Sequence, residues 1–410
     1  MITLIEALNF RCFKYIRQPL GPFQVLVGPN ASGKSAFFDI LKFLHYLVKE
    51  DLEAACKQWS EDFIDLFWGR DGEEFEVAIE ASISGDNGIK SFQYYDSIRY
   101  ELRIKHDSDI RAFVIDAESL YLKTKNDLMM DGKLPLEIKK LKINSPYLIR
   151  YSEEYGIKIY TIEMNPSKYD SLSFGPNEKW SKLSGLQFIQ FTKEMDAEFI
   201  ALKNLLVDNI EYINLDSEKL KKTCSYQSGK NLRSNGENLS WVVENFSKNH
   251  KDQFNEWLLH VQTALPDLEN IRAVVRPEDR KCYLMLKYRN GLEVPSWMVS
   301  EGTLRLLALT IIAYLPGAKG IYLIEEPENG IHPLNIETIM QSLQSIYDGQ
   351  VLITTHSPAI ISLVDVDQIL CFNRNEENGA KIICGNDHPV LKDWKKESNL
   401  GVLFAGGFLE

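Results

Sequence analysis

A segment near the N-terminus has the residue types and the spacing of a phosphate-binding loop. Residues 28–35 read GPNASGKS and match G-x-x-x-x-G-K-[ST]. The two glycines allow several backbone N–H groups to point at one anion, and a helix N-terminus adds positive charge. Lys34 is expected to reach the β- and γ-phosphates, and the Ser35 hydroxyl to bind Mg²⁺. A plain turn would not explain the Lys-Ser pair. The predicted binding residues are Gly28, Pro29, Asn30, Ala31, Ser32, Gly33, Lys34 and Ser35.

Two adjacent carboxylates follow an apolar run. Residues 321–326 read IYLIEE, which predicts a buried strand ending at Glu325 and Glu326. At the carboxyl end of a strand in a parallel sheet, both side chains can reach a ligand crevice. Glu325 is the predicted Mg²⁺ ligand, and Glu326 is the predicted base that takes a proton from the attacking water. The alternative is an acidic loop that faces solvent.

Two further segments could contact a nucleotide. Ser300 precedes an apolar helix and is a natural N-cap, but the same helix N-terminus could also bind phosphate. One chain does not need two phosphate sites for one nucleotide, so Ser300 and Gly302 are expected to close over a nucleotide held by a second copy. His356 follows a buried strand, where a γ-phosphate sensor would lie, although a lone histidine there is more often structural.

The positions of these residues depend on strands and helices that hydrophobic periodicity predicts. The predicted strands are Phe23–Val27, Glu74–Ser84, Ile98–Ile104, Ala112–Leu122, Gly156–Glu163, Gly320–Ile324, Val351–Thr355 and Gln368–Asn373. The predicted helices are Ser35–Val48, Lys179–Leu215, Leu239–Leu265, Leu304–Leu315 and Ile336–Tyr347.

This order of elements predicts an α/β fold built from both ends of the chain. Strands alternate with helices in the last third, which indicates a parallel sheet covered by helices. Alternating strands and then helices fill the middle, and no sustained heptads predict a long coiled coil. We therefore expect a nucleotide-binding α/β unit with a mixed sheet, made from residues 1–90 and 271–410. An inserted α+β lid or arm is expected at residues 91–270.

Charge and cysteine content exclude several classes of protein. A net charge of -12 argues against a generally basic surface, so any nucleic-acid contact must be a local patch. The six cysteines show no C-x-x-C spacing, which excludes zinc fingers and thioredoxin-like sites and predicts reduced packing residues. Neither a membrane span nor a secretory signal is evident, so a cytoplasmic protein without membrane contact is expected.

In chain order, these segments resemble the motif set of an ABC-type ATPase. They are a Walker A loop (residues 28–35), a signature VSEGT (299–303), a Walker B strand IYLIEEP (321–327), a D-loop ENGIHP (328–333) and a switch histidine in THS (355–357). The chain is similar to the SMC/RecF-like branch, which has a basic-aromatic turn like NFRCF at residues 9–13. It most resembles the compact, OLD-like bacterial AAA ATPases of the AAA21 group, through IEEPENGIHP and TTHSP. The resemblance is close over residues 1–85 and 205–375.

The resemblance implies an ABC/RecF-type P-loop ATPase head. It also implies a homodimer in which two copies bind head to tail around ATP and Mg²⁺, with higher oligomers possible. Arg11, Ser300 and Gly302 would contact nucleotide, residues 329–332 would cross the dimer interface, and His356 would contact the γ-phosphate. Glu325 replaces the usual aspartate, and SEGT replaces the SGGQ of transporters. Gln58 is the nearest candidate for the Q-loop glutamine but remains unassigned.

The leading hypothesis is an ATP-hydrolysing switch that controls a separately encoded nuclease or toxin effector in antiphage defence. From the residues that follow His356 we expect no fused Toprim nuclease, so any nuclease should be another polypeptide. The apolar run at residues 400–409 could dock a partner or pack on its own sheet. The alternatives are a RecF-like DNA-repair clamp that binds DNA directly and a scaffold without turnover. The basic clusters available to a clamp are Lys219, Lys221, Lys222, Lys230 and Arg233, and then Lys139, Lys140 and Lys142, although such clusters are usually solvated.

Overall fold

The computed structural model describes residues 1–59, 63–82, 96–107, 112–123, 134, 147–152, 156–160, 171–174, 186, 197–226, 231–375, 379–392 and 399–409. The strands are β1 (Ile2–Phe10), β2 (Phe13–Pro19), β3 (Phe23–Val27), β4 (Glu74–Ser82), β5 (Ser97–Asp107), β6 (Ala112–Lys123), β7 (Tyr147–Ser152), β8 (Gly156–Tyr160), β9 (Ser171–Phe174), β10 (Ile210–Ile213), β11 (Leu268–Val275), β12 (Cys282–Tyr288), β13 (Glu293–Pro295), β14 (Ile321–Glu325), β15 (Gln350–Thr354), β16 (Ile369–Asn375) and β17 (Gly379–Cys384). The helices are α1 (Lys34–Lys49), α2 (Leu52–Lys57), α3 (Ala197–Val207), α4 (Ser217–Lys221), α5 (Leu239–Asn249), α6 (Lys251–Ala264), α7 (Glu301–Ile311), α8 (Pro333–Gln344), α9 (Pro358–Ile361) and α10 (Leu400–Ala405).

The chain divides into two compact units, each assembled from separate segments. The first unit contains Met1–Gly21, Pro29–Ile210 and Phe372–Ile383, and the second contains Pro22–Gly28, Glu211–Cys371 and Cys384–Glu410. The predicted lid boundaries at residues 90 and 270 do not coincide with these divisions. A lid of residues 91–270 therefore stays a prediction about the sequence.

The first unit is built on an antiparallel sheet with strand order β17-β2-β1-β4-β5-β6-β7-β8-β9. Helix α1 is buried over most of its length, and its Phe43 packs into the aromatic core of this unit. The rings of Phe10, Phe43 and Phe75 meet there, with the Phe10 and Phe75 centroids 5.3 Å apart. This core holds the helix that begins at the Walker A loop.

The second unit contains a sheet region ordered β10-β14-β15-β3-β16, in which β14, β15, β3 and β16 run parallel. All five residues of β3 and of β15 are buried, as expected of strands covered on both faces. A separate antiparallel sheet, β11-β12-β13, belongs to the same unit and had no counterpart in the sequence prediction. The parallel strands bring residues 325–326 and 354–357 to one sheet edge.

Most predicted elements are confirmed, and two helices need correction. Residues Ile210–Ile213 form strand β10 and not the end of a helix from Lys179 to Leu215, because their backbone joins the sheet beside β14. The predicted helix Leu239–Leu265 is two helices, since His250 has non-helical angles (φ -138°, ψ 57°). Residues 161–163 of one predicted strand, and residues 179–185 and 187–196, lie outside the described residues.

Candidate functional site

Gly33 of the Walker A loop has a backbone conformation that favours glycine. Its φ of 107° lies in the left-handed region, and a Cβ there would come 2.9 Å from the Cys12 sulfur. Gly28, at the start of the loop, has φ 145°, and Ala31 adopts φ 61° although it is not a glycine. Only glycine fits position 33 without displacing Cys12, which explains why the motif needs glycine there.

The polar groups of the loop fit a phosphate. The Ser32 hydroxyl is buried and has no hydrogen-bond partner within the part of the chain that the structure describes. The Lys34 ammonium is also buried and donates to the Pro29 carbonyl oxygen at 2.8 Å. Ser35 is exposed in the first turn of α1. A buried cation, an unpaired donor and a helix N-terminus together favour an anionic ligand.

Arg11 is attached to the Walker A helix. It lies in the turn between β1 and β2 with φ 52°, and its guanidinium forms an ion pair with Asp39 of α1. The Lys42 ammonium lies 3.5 Å from the other Asp39 oxygen. Burial lowers the pKa of Arg11 below its ordinary value. A nucleotide contact by Arg11 stays a prediction, and Asp39 is a partner that sequence reasoning missed.

Glu325, the last residue of β14, is held by a phenol. The side chains of Tyr212 and Glu325 are hydrogen-bonded, and the Asn214 amide donates to the Tyr212 oxygen at 3.4 Å. Burial, and then the negative charge of Glu325, raise the pKa of Tyr212. Tyr212 was missed because no motif links it to a carboxylate so far along the chain.

Glu326 adopts a backbone conformation that is rare for a non-glycine residue, with φ 44°. Its N–H donates to the Thr354 carbonyl at 2.9 Å, and its carboxylate accepts a hydrogen bond from the Asn329 amide at 2.5 Å. The His356 Nε2 atom lies 3.9 Å from the other carboxylate oxygen. Two predicted catalytic residues, Glu326 and His356, therefore lie together with Asn329 of the D-loop within the second unit.

A third carboxylate, Glu328, supports the histidine loop and was not predicted as a site residue. One of its oxygens accepts from the Thr355 hydroxyl at 2.5 Å and from the His356 backbone N–H at 3.0 Å. Its other oxygen is buried and lacks a partner among the described residues. The sequence EEPE at residues 325–328 contained a signal for Glu328, since an acidic side chain near the end of a strand can accept hydrogen bonds from the loop that follows the neighbouring strand.

The signature packs directly on the D-loop of the same chain. Ser300 is the N-cap of α7 and accepts from the Thr303 N–H at 3.2 Å. A Cβ on Gly302 would lie 2.5 Å from the Gly330 carbonyl oxygen. Gly330 has φ 71°, and a Cβ there would lie 3.1 Å from the Glu301 carboxylate. The two glycines thus allow a close approach of these two segments.

A hydrogen-bonded segment anchors the signature helix from its other side. The Ser217 hydroxyl donates to Glu301, and Arg305 donates to the Ser217 oxygen at 3.1 Å and to the Leu215 carbonyl at 2.9 Å. The Ser217 hydrogen bond, with Arg305 adding to it, lowers the pKa of Glu301. Residues 215–217 therefore fix the first turns of α7.

The two residues that the sequence predicts as Mg²⁺ ligands both carry oxygen donors, which Mg²⁺ prefers. The described residues contain no group of three or more His, Cys, Asp or Glu side chains arranged to hold a metal ion. The carboxylate of Glu325 in the second unit and the hydroxyl of Ser35 in the first unit are each an oxygen donor of this kind, and Mg²⁺ binding by them stays a prediction. All six cysteines are free thiols. None of the helices among the described residues has the length and apolar character to cross a bilayer.

Residues 146–362 match a protein-family model described as "AAA domain, putative AbiEii toxin, Type IV TA system". The chain matches no curated protein. Among solved structures it is similar to an SmcHead bound to the C-winged helix domain of ScpA, with 14% identity, TM-score 0.51, and 93% of this chain and 97% of that chain covered. It is also similar to an Smc head domain with an extended coiled coil from Pyrococcus furiosus, bound to the C-terminal domain of ScpA. That match has 14% identity, TM-score 0.50, and 93% and 95% coverage. These matches show an SMC head-like fold.

Proposed function

The chain belongs to this AAA domain family, whose model covers more than half of it, and from that premise we propose that it is an ATP-hydrolysing switch. The fold is that of an ABC/RecF-type P-loop ATPase head. In the proposal, ATP binding closes two copies head to tail, hydrolysis opens them, and a separately encoded nuclease or toxin effector responds to the change. Bacterial antiphage defence is the proposed setting.

The observation that carries the proposal is the geometry at Glu326. Strained conformations of non-glycine residues cluster at functional sites and persist only where the surroundings impose them. Thr354 holds the Glu326 backbone, Asn329 holds its carboxylate, and His356 lies beside it. A half-exposed carboxylate oriented in this way can accept a proton from water. His356 would contact the γ-phosphate of the nucleotide.

Binding of the nucleotide is assigned to residues 28–35. Their backbone N–H groups and Lys34 would bind the phosphates, and Arg11 would contact the nucleotide. Ser35 and Glu325 would hold Mg²⁺, which supplies positive charge to the phosphate oxygens. The buried, unpaired Ser32 hydroxyl and the lack of space at Gly33 support this assignment.

The proposal of a head-to-tail dimer draws on the signature and the D-loop. Because Gly302 packs against Gly330, the N-terminus of α7 and the D-loop form one surface within the second unit. Asn329, His332 and Leu334 are exposed on this stretch. In the dimer, Ser300 and Gly302 would contact ATP held by the partner. The similar Smc heads are bound to ScpA, which supports a separate protein partner here.

A substitution of Glu326 by glutamine tests hydrolysis. Glutamine keeps the size and the hydrogen-bonding capacity of the side chain but cannot take the proton. We expect turnover to fall on the order of 10²- to 10⁴-fold, while ATP still binds and the dimer persists longer. Phosphate release and light scattering with ATP measure these effects. The matched control is Glu337→Gln on the exposed face of α8. Wild-type turnover in Glu326→Gln would refute the catalytic role and would favour a different base.

A substitution of Lys34 by alanine tests binding separately from hydrolysis. Loss of the ammonium should abolish nucleotide binding in calorimetry, because no other buried lysine lies in the described part of the Walker A loop. Unchanged ATP affinity would contradict the assignment. The proposal requires that Glu326→Gln loses turnover but keeps ATP binding, and that Lys34→Ala loses ATP binding.

The DNA-clamp and scaffold alternatives make different predictions. Arg233 forms an ion pair with Glu237 at 2.5 Å, and Lys230, Lys139, Lys140 and Lys142 lie outside the described residues. Salt-dependent binding of duplex DNA by the purified chain, weakened by charge reversal at Lys219 and Lys221, would favour the clamp. A wild-type chain that binds ATP without hydrolysing it, and that Glu326→Gln leaves unchanged, would favour the scaffold. Co-expression with adjacent genes tests for the effector.

A further inference from the structure

Tyr212 contacts the predicted metal ligand from a neighbouring strand. Strand β10 lies next to β14 in the second unit, and the Tyr212 phenol is hydrogen-bonded to the side chain of Glu325. Tyr212 is half-buried, and Glu325 is the last residue of β14. Because the backbone of a sheet strand is fixed by its neighbours, the Cα and Cβ positions of Tyr212 are fixed as well.

The hydrogen-bond network sets the direction of the phenol. The Asn214 amide donates to the Tyr212 oxygen, so the single phenol hydrogen remains for the Glu325 carboxylate. The Asn214 N–H in turn donates to the Ser234 carbonyl at 2.8 Å, which holds this part of the chain. Tyr212 is therefore arranged as a donor to Glu325.

Such a donor matters more for glutamate than for aspartate. Glutamate has one more rotatable bond, so its carboxylate samples more positions and loses more freedom when it binds a metal. Partners that orient metal ligands typically contribute 10- to 100-fold to metal affinity or activity. We propose that Tyr212 is the positioning residue that orients the Glu325 carboxylate toward Mg²⁺. This inference rests on the proposed ATPase function.

Removal of the phenol oxygen should leave the segment folded. The segment after Tyr212 stays attached to α7 through the Arg305 bond to the Leu215 carbonyl and through the contact of Ser217 with Glu301. Tyr212→Phe keeps the ring that packs at this position and removes only the oxygen. Its effect should thus be confined to the orientation of Glu325 and to the amide of Asn214.

The experiment measures metal binding apart from turnover. Mn²⁺ is titrated against the full chain with a non-hydrolysable ATP analogue and followed by electron paramagnetic resonance, and the Mg²⁺ dependence of ATP hydrolysis is measured in parallel. In Tyr212→Phe we expect the metal dissociation constant to rise about 10- to 100-fold. Metal-free ATP affinity should stay within about twofold, and turnover should recover at saturating Mg²⁺. Tyr314→Phe, another half-buried phenol in the same unit, is the matched control.

A double-variant cycle shows whether Tyr212 acts through Glu325. In the Glu325→Gln background, Tyr212→Phe should cause no further loss of metal affinity, because the carboxylate that it orients is absent. A wild-type metal dissociation constant in Tyr212→Phe, or additive losses in the double variant, would overturn the inference alone. A wild-type chain that binds neither metal nor nucleotide would overturn the proposed function as well.

Discussion

Replacement of Gly302 by alanine adds one methyl group where the signature helix meets the D-loop. Two effects oppose each other. Alanine is favoured over glycine inside a helix by about 1 kcal/mol. The new Cβ would lie 2.5 Å from the Gly330 carbonyl oxygen, well inside ordinary van der Waals contact, which starts near 3.4 Å. Insertion of a group into a packed contact costs about 1–3 kcal/mol.

The clash should therefore offset or exceed the gain in helix propensity, with a net loss of stability of about 0–2 kcal/mol. The obstructing atom belongs to the backbone, so it cannot rotate away as the end of a flexible side chain could. The D-loop must then move by roughly 1 Å, and displacements of this size can cost on the order of 10²-fold in rate. Activity should consequently fall far more than stability, by at least about tenfold in ATP turnover.

Urea unfolding measures the stability, phosphate release measures the ATP turnover, and ATP-dependent light scattering measures dimer formation. Gln341→Ala on the exposed surface of α8 is a control for an alanine substitution in a helix, and we expect it to change stability by less than about 0.5 kcal/mol. A Gly302→Ala variant that is about 1 kcal/mol more stable and hydrolyses ATP at the wild-type rate would refute the packing argument. The helix propensity would then be the only effect present.

Two other predictions concern stability and thiol reactivity in the first unit. Arg99→Ala should destabilise the chain by about 3–5 kcal/mol in urea unfolding, because the buried carboxylates of Glu6 and Glu101 lie 2.7 and 2.5 Å from the Arg99 guanidinium and would lose their partner. The exposed ion pair of Arg272 with Glu293 is the control and should contribute below about 1 kcal/mol, so equal losses for the two arginines would contradict the prediction. Burial raises the pKa of Cys12 to about 11. At pH 8 the alkylation of Cys12 by iodoacetamide should therefore be on the order of 10²-fold slower than that of a free cysteine, and it should accelerate as the pH rises toward that pKa. Peptide mass spectrometry measures the alkylation rate, and a rate equal to that of the unfolded chain would show that the thiol is not buried.

Local patterns predicted the parts of the site that local chemistry specifies. The strand-loop-helix around Gly33 is evident from residues 23–48, because a buried strand, a glycine with positive φ and an amphipathic helix each have a short-range signature. Ser300 as an N-cap is likewise local. The helix predicted over residues Ile210–Ile213 was wrong, since four residues are too few to show a period that separates helix from strand.

Contacts between distant segments could not be predicted in the same way. The support of Thr355 and His356 by Glu328, and of Glu325 by Tyr212, depends on which strands are neighbours in the sheet. The sequence offered the residue types but not the pairs, because one strand can have several possible neighbours.

The sequence by itself determined the family resemblance, the predicted phosphate-binding loop and the order of the motifs, since each depends on residue types at fixed short spacings. Only the tertiary structure decided which groups orient Glu325 and Glu326 and how closely Gly302 approaches Gly330. Those decisions depend on packing and hydrogen bonding between elements far apart in the chain, where spacing along the sequence carries no distance information.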